Sequence, residues 1–157
     1  MKYIEGDGIP KTEKYVISGG PGCGKTTIVE ELERRNYYII PEPARQIIDR
    51  EEKIGGNLLP WDDRRGFQKA VIELQKEQEY NLPSTGTIFL DRSMLDNLAY
   101  LRLDGIEPSE ELYGMFNKFN NYSTVFLPEP LPKYVNDNAR KEDEKTARDI
   151  HNRLVAN

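Results

Sequence analysis

Gly19, Gly20, Gly22 and Gly24 punctuate a run that closes on Lys25 and Thr26, the combination needed to hold a phosphate ester. Glycines at these positions let the backbone enter conformations that a Cβ forbids, so that successive N–H groups converge on one anion. Lys25 supplies a cation for the β- and γ-phosphates, and the Thr26 hydroxyl supplies an oxygen ligand for the Mg²⁺ that travels with a nucleotide. Thr27 either packs or touches the α-phosphate. Pro21 and Cys23 occupy variable positions of the same loop, and Cys23 reads as a small packed residue with no redox role. The spacing, Gly19, four residues, then Gly24-Lys25-Thr26, satisfies the Walker A pattern. Gly20, Pro21, Gly22, Cys23, Gly24, Lys25, Thr26 and Thr27 are therefore the expected nucleotide-binding residues.

Such a loop works only between a strand and a helix, and both are present. Tyr15 to Ile17 is a short β-branched apolar run, and Ile28, Val29 and Leu32 lie on one face of the segment that Lys25 opens. A helix N-terminus at Lys25 adds its partial positive charge to the phosphate site. Tyr37 to Ile40 is a second continuous apolar run, expected for a strand covered on both faces of a parallel sheet. Its carboxyl end delivers Pro41-Glu42-Pro43-Ala44-Arg45 to the rim where functional residues of open α/β sheets collect. The flanking prolines stiffen the turn and aim Glu42, and two readings stand for it, a substrate-binding acid of the site or a surface acid capping the next helix, with Arg45 beside it as a candidate substrate ligand.

Thr87 to Leu90 is a third buried strand, ending in Asp91-Arg92-Ser93. An acid at the end of an apolar strand downstream of a Walker A loop is the expected Walker B position, so Asp91 joins Thr26 as a metal ligand. Hydrolytic ATPases commonly place a glutamate next, to orient water. Arg92 cannot accept a proton and offers paired donors to phosphate or carboxylate, which favours transfer to a bound acceptor over hydrolysis. Asp96 falls in the first turn of the following helix, and two readings stand: it faces a substrate, or it complements the helix dipole.

Between these motifs the chain alternates helical and strand patterns. Helices are expected from Ala44 to about Lys53, over Phe67, Ala70, Val71 and Leu74 to about Tyr80, from Ser93 to Leu103, and over Leu112, Met115, Phe116 and Phe119. The loop and helix pair within 41–80 suits a cover over an acceptor, and Trp61 there is either a stacking surface or a packed hinge aromatic. Val125 to Leu127 makes a fourth strand. Near the start, Tyr3-Ile4 suits a short extra strand and Gly6-Asp7-Gly8-Ile9-Pro10 a turn. From Asn138 onward charges of both signs interleave, and His151 shares a stripe with Ala147, Ile150 and Leu154.

The chain has 157 residues, one cysteine and a net charge of -5. That length predicts a single domain, 1–157, containing a phosphate-loop unit over 14–35, an acceptor region over 41–80 and a lid over 137–157. A lone cysteine excludes an internal disulfide framework, and no apolar run has the length of a membrane span, so a cytoplasmic location is expected. An acidic balance argues against nucleic acid as the main partner. Small anions remain compatible, because a phosphate site needs only local positive charge.

The series GGPGCGKTT, PEPAR and FLDRS, followed by an arginine-rich segment, resembles the P-loop AAA-type NTPase domains related to the nicotinamide riboside kinase domain. More distantly it is similar to thymidylate and deoxynucleoside kinases. The resemblance implies a three-layer α/β/α fold with a mostly parallel sheet in the order 2-3-1-4-5. Here the chain stops at Asn157, so either a fifth strand is missing or the N-terminal segment supplements four core strands. It also implies that Glu42 contacts a phosphoryl-accepting hydroxyl, that Arg92 matches the family's Asp-Arg pair, and that Arg140 and Arg148 are lid arginines closing over the transferring group. The catalytic set expected is Lys25, Glu42, Asp91, Arg92, Arg140 and Arg148, with Mg²⁺ and ATP or GTP as cofactors. The leading expectation is a kinase acting on a nucleoside-like or nucleotide-like acceptor. An NTP-dependent binding module or switch explains the loop but not Glu42 and Arg92, and a hydrolytic motor is disfavoured by Arg92.

Overall fold

The protein is seen in a computed structural model that describes residues 4–5, 9–10 and 12–130. Within them a parallel sheet is assembled from β3 (Thr12–Ile17), β4 (Tyr38–Ile40), β5 (Gly86–Asp91) and β6 (Thr124–Phe126), in the spatial order β4-β5-β3-β6. Counted along the chain from β3, this is the expected order 2-3-1-4. A small antiparallel pair, β1 (Ile4–Glu5) and β2 (Ile9–Pro10), precedes it.

The register of β3 against β5 sets the two faces of the sheet. Val16 pairs with Leu90 and Lys14 with Ile88, while Tyr15 pairs with Phe89 and Ile17 with Asp91. Val16, Ile40, Ile88 and Leu90 form the sheet's buried core. On the opposite face the Tyr15 and Phe89 rings stack at 5.5 Å between centroids, and Tyr37 meets Phe89 edge-on. α1 (Lys25–Arg34) lies on this aromatic side, where Ile28 and Leu32 border a cleft with Tyr37 and Phe89.

The other helices are α2 (Pro43–Ile54), α3 (Arg64–Tyr80), α4 (Met94–Leu103) and α5 (Glu110–Phe119). Ile47 and Ile48 of α2 pack with Phe67 and Val71 of α3, and Met94, Leu98 and Leu101 of α4 pack with Leu112 and Phe119 of α5. These stripes follow the three-and-four spacing read from the sequence. Asp63 caps α3 through Gly66 N and Ser109 caps α5 through Leu112 N, each satisfying an amide that the helix leaves unpaired. Gly55, at φ +68°, ends α2 in a conformation that a side chain would strain.

One expectation is corrected. Tyr37 to Ile40 was expected to be covered on both faces, yet β4 lies at the sheet's edge and Tyr37 and Tyr38 are 47% and 51% exposed. Only Ile40 reaches the core. A tyrosine keeps its hydroxyl in water while its ring packs, so an aromatic run does not distinguish an edge strand from a central one.

Candidate functional site

The carboxyl ends of β3, β4 and β5 deliver the site. After Ile17 the chain runs through Ser18 to Gly24 without regular structure and enters α1 at Lys25. Gly19, Gly22 and Gly24 have φ values of 120°, 79° and 80°, which only glycine adopts without strain, and this curls the loop over the helix N-terminus. Cys23 is buried, as a small packed residue should be. Thr26 and Thr27 are exposed on the first turn.

Lys25 is 2% exposed, and its ammonium is enclosed by acids from two other strand ends. It bonds Asp91 Oδ1 closely and Glu42 Oε2 at 3.3 Å. Glu42 stands at the N-cap position of α2, with Pro43 as the first helical residue, yet its side chain makes no capping bond. Its other oxygen, Oε1, accepts a hydrogen bond from Arg92 Nε at 3.1 Å. The carboxylate thus bridges the phosphate-loop lysine and the arginine that follows β5.

Arg92 is buried, with φ at +72°, an unusual backbone for a side chain of this size, costing on the order of 1–3 kcal/mol. Its N–H donates to Ile17 O at 3.0 Å. The guanidinium NH1 donates to Gly19 O at 3.0 Å and to Asp96 Oδ1 at 3.3 Å, and the group lies 5.2 Å from the Tyr100 ring centroid. Burial by itself would disfavour this cation. Tyr100, Glu42, Asp96 and Asp91 outweigh it and hold the guanidinium well above its ordinary value.

Asp96 has no exposed surface. It is the N3 residue of a capping box on α4, where Oδ2 accepts from Ser93 N at 2.8 Å and Ser93 Oγ at 3.1 Å. Its other oxygen accepts from Ser18 Oγ at 2.5 Å as well as from Arg92. Burial pushes the Asp91 carboxyl above the usual carboxylate range; Lys25 opposes that rise and Glu42 adds to it.

The structure therefore brings Lys25, Glu42, Asp91, Arg92 and Asp96 into one constellation beside the loop from Gly20 to Gly24. Arg45 lies in the first turn of α2 and is half-buried. Trp61, just before α3, is 39% exposed. Arg140, Arg148, His151 and the rest of the expected lid lie outside the described residues. Ser18 and Tyr100 join the site without having been read from the sequence. The Ser93-x-x-Asp96 spacing is a legible capping signal, but neither Ser18 nor Tyr100 carries a local one.

Two cations, Lys25 and Arg92, face three carboxylates, Glu42, Asp91 and Asp96, so these five residues carry one surplus negative charge. A hard divalent cation suits that balance and the oxygen donors Thr26 and Asp91. No cluster of three or more acidic, histidine or cysteine side chains able to hold a metal occurs among the described residues. Among the described residues no helix is long and apolar enough to cross a membrane.

A parallel sheet in this order, with a glycine loop running into a buried lysine and an acid ending the neighbouring strand, defines a P-loop NTPase. The chain belongs to the family described as AAA domain, which matches residues 14–157. Among solved structures it is similar to a NadR protein in complex with NR, with a TM-score of 0.66 and 22% identity over 92% of this chain and 42% of that one. It is also similar to a NadR protein in complex with NAD and AMP-PNP, with a TM-score of 0.60 and 22% identity over 92% of this chain and 40% of that one. The chain thus spans about two fifths of the length of those structures. No curated protein matches it by sequence.

Proposed function

We propose that the protein is an ATP-dependent small-molecule kinase of the cytoplasm, transferring the γ-phosphoryl group to a hydroxyl or phosphate of a nucleoside-like or nucleotide-like acceptor. The observation that carries this reading is the Glu42 carboxylate held between Lys25 Nζ at 3.3 Å and Arg92 Nε at 3.1 Å. An acid so placed addresses a group arriving beside the phosphate loop, and the arginine at position 92 leaves no base there to orient water. The likeness to structures containing NR, NAD and AMP-PNP supports a nucleoside-type acceptor and an adenine nucleotide donor.

In this reading the loop from Gly20 to Thr27 wraps the phosphates, and Lys25 neutralises charge on the transferring group. Glu42 orients the acceptor hydroxyl and takes its proton, while Arg92 keeps Glu42 aimed and Arg45 flanks the acceptor. Bound Mg²⁺, held by Thr26 and Asp91, would supply charge neutralisation at the phosphate oxygens. Arg140 and Arg148 are proposed to close over the phosphoryl group. Positioning and electrostatics carry most of the rate in such transfers.

The test is incubation with γ-labelled ATP, Mg²⁺ and a panel of nucleosides, nucleotides and nicotinamide riboside. Label appearing on one acceptor class supports the kinase. Release of inorganic phosphate at the same rate with every acceptor would instead identify an NTP-hydrolysing module.

A further inference from the structure

Asp96 does more than a capping residue needs to do. Ser93 Oγ accepts from Leu95 N, and Asp96 completes its share of the cap with Oδ2 alone, through Ser93 N and Ser93 Oγ. Oδ1 is turned the other way, into the protein, where it receives Ser18 Oγ and Arg92 NH1. Ser18 directly follows β3, and the next residue, Gly19, offers its carbonyl to the same NH1. Ser18, Asp96, Arg92 and Gly19 therefore close a ring that joins the entry of the phosphate loop to the start of α4.

The ring determines where Arg92 points. A guanidinium is planar, so fixing NH1 at two acceptors while the central carbon lies over the Tyr100 ring restricts Nε, which donates to Glu42 Oε1. The left-handed backbone at Arg92 is stable only where its surroundings hold it. A buried carboxylate is likewise costly unless its oxygens are paired. Asp96 meets both needs at once.

We propose that Asp96 is a positioning residue: it holds Arg92 in the orientation that aims Glu42, and through Ser18 it locks that alignment to the phosphate loop. Its effect on transfer rests on the reading of Glu42 as the acceptor-facing group, whereas its hold on Arg92 is independent of any activity. Asp96 then touches no substrate, and its substitution acts on turnover only through Glu42.

The experiment compares wild type with Asp96→Asn, Glu42→Gln, the double variant and Ser93→Ala. Each is followed by thermal melting, by the arginine Nε–H resonances in proton–nitrogen NMR spectra, and by single-turnover transfer from γ-labelled ATP. The Arg92 signal is assigned by its loss in Arg92→Lys. In Asp96→Asn it should shift and lose protection from exchange, while in Ser93→Ala, which removes the hydroxyl bonded to Leu95 N and Asp96 Oδ2 but leaves Oδ1 with its partners Ser18 and Arg92, it should stay protected. Transfer should fall roughly tenfold to a hundredfold in Asp96→Asn. Its ATP dissociation constant should stay within about twofold, and the substitution should add nothing further in the Glu42→Gln background. An unmoved Arg92 signal in folded Asp96→Asn, or losses that multiply in the double variant, would overturn the proposal. If Asp96→Asn does not fold, Asp96→Ser replaces it, since its shorter side chain removes the carboxylate that Arg92 NH1 and Ser18 Oγ bond, and an Arg92 signal unchanged there has the same force. Absence of transfer by the wild type would defeat the kinase reading and leave the NMR signal to decide the role of Asp96.

Discussion

Glu42 Oε2 lies 3.3 Å from Lys25 Nζ, so the phosphate-loop lysine and the acid that follows β4 share one ion pair. On the proposed function, a triphosphate in the loop would compete for the lysine and relax its hold on Glu42. The proposed function therefore predicts that nucleotide loading and acceptor readiness are linked. Glu42→Gln should slow transfer to the acceptor roughly a thousandfold, leaving a measurable residual rate, while ATP affinity stays within about threefold, since the lysine loses only a competitor for phosphate. Equilibrium binding of a fluorescent ATP analogue, set beside single-turnover transfer, checks this.

Removing the cation has the opposite signature. Lys25→Ala leaves Asp91 and Glu42 facing one another without their shared partner. ATP affinity should fall roughly tenfold to a hundredfold, the size of a lost charge-assisted hydrogen bond. Calorimetric titration with magnesium nucleotide gives the value.

Arg92→Lys keeps the charge but not the fork. A lysine cannot bond Gly19 O, Asp96 and Glu42 together in the plane that the guanidinium spans. Turnover should drop at least roughly tenfold, with a melting temperature lower by several degrees. A wild-type kcat in this variant would show that charge alone suffices at position 92.

A second ion pair, away from the phosphate loop, makes a pH-dependent prediction. Lys14 Nζ lies 3.3 Å from Glu79 Oε1, with 6% and 0% of their side chains exposed, and Tyr122 donates to Glu79 Oε2 at 3.2 Å. Burial raises the Glu79 carboxyl above its ordinary range and lowers the Lys14 ammonium, and each partner opposes the other's shift. Lys14→Met removes that opposition, so Glu79 rises further in the folded state. The folded variant then binds a proton that the unfolded chain releases, and its stability must increase as pH is lowered from 7 toward the unfolded carboxylate value near 4.5. At neutral pH the variant should lose about 3–5 kcal/mol, with recovery in Lys14→Met/Glu79→Leu. Urea denaturation at a series of pH values measures both.

Much of this architecture was legible because its signals are local. The glycine spacing before Lys25, the stripe of Phe67, Val71 and Leu74, and the apolar run ending at Asp91 each declare an element and its direction. Parallel strand ends then place Lys25, Glu42 and Asp91 on one rim, since α/β topology brings carboxyl ends together. What escaped depends on contacts distant in sequence. Asp96 had a substrate-facing reading and a helix-dipole reading; its bond to Ser18, 78 residues away, is visible to neither. The pairing of Lys14 with Glu79 spans 65 residues, and the edge position of β4 depends on strand order rather than on the composition of Tyr37 to Ile40.

The most direct test is a rapid-quench single turnover with enzyme in excess over γ-labelled ATP, in the presence of the acceptor selected from the panel. In the wild type, label should leave ATP and appear on the acceptor in one exponential phase, and in Glu42→Gln it should remain on bound ATP over the time of that phase. Label leaving as free phosphate in the wild type, or reaching the acceptor equally fast in Glu42→Gln, would contradict the account.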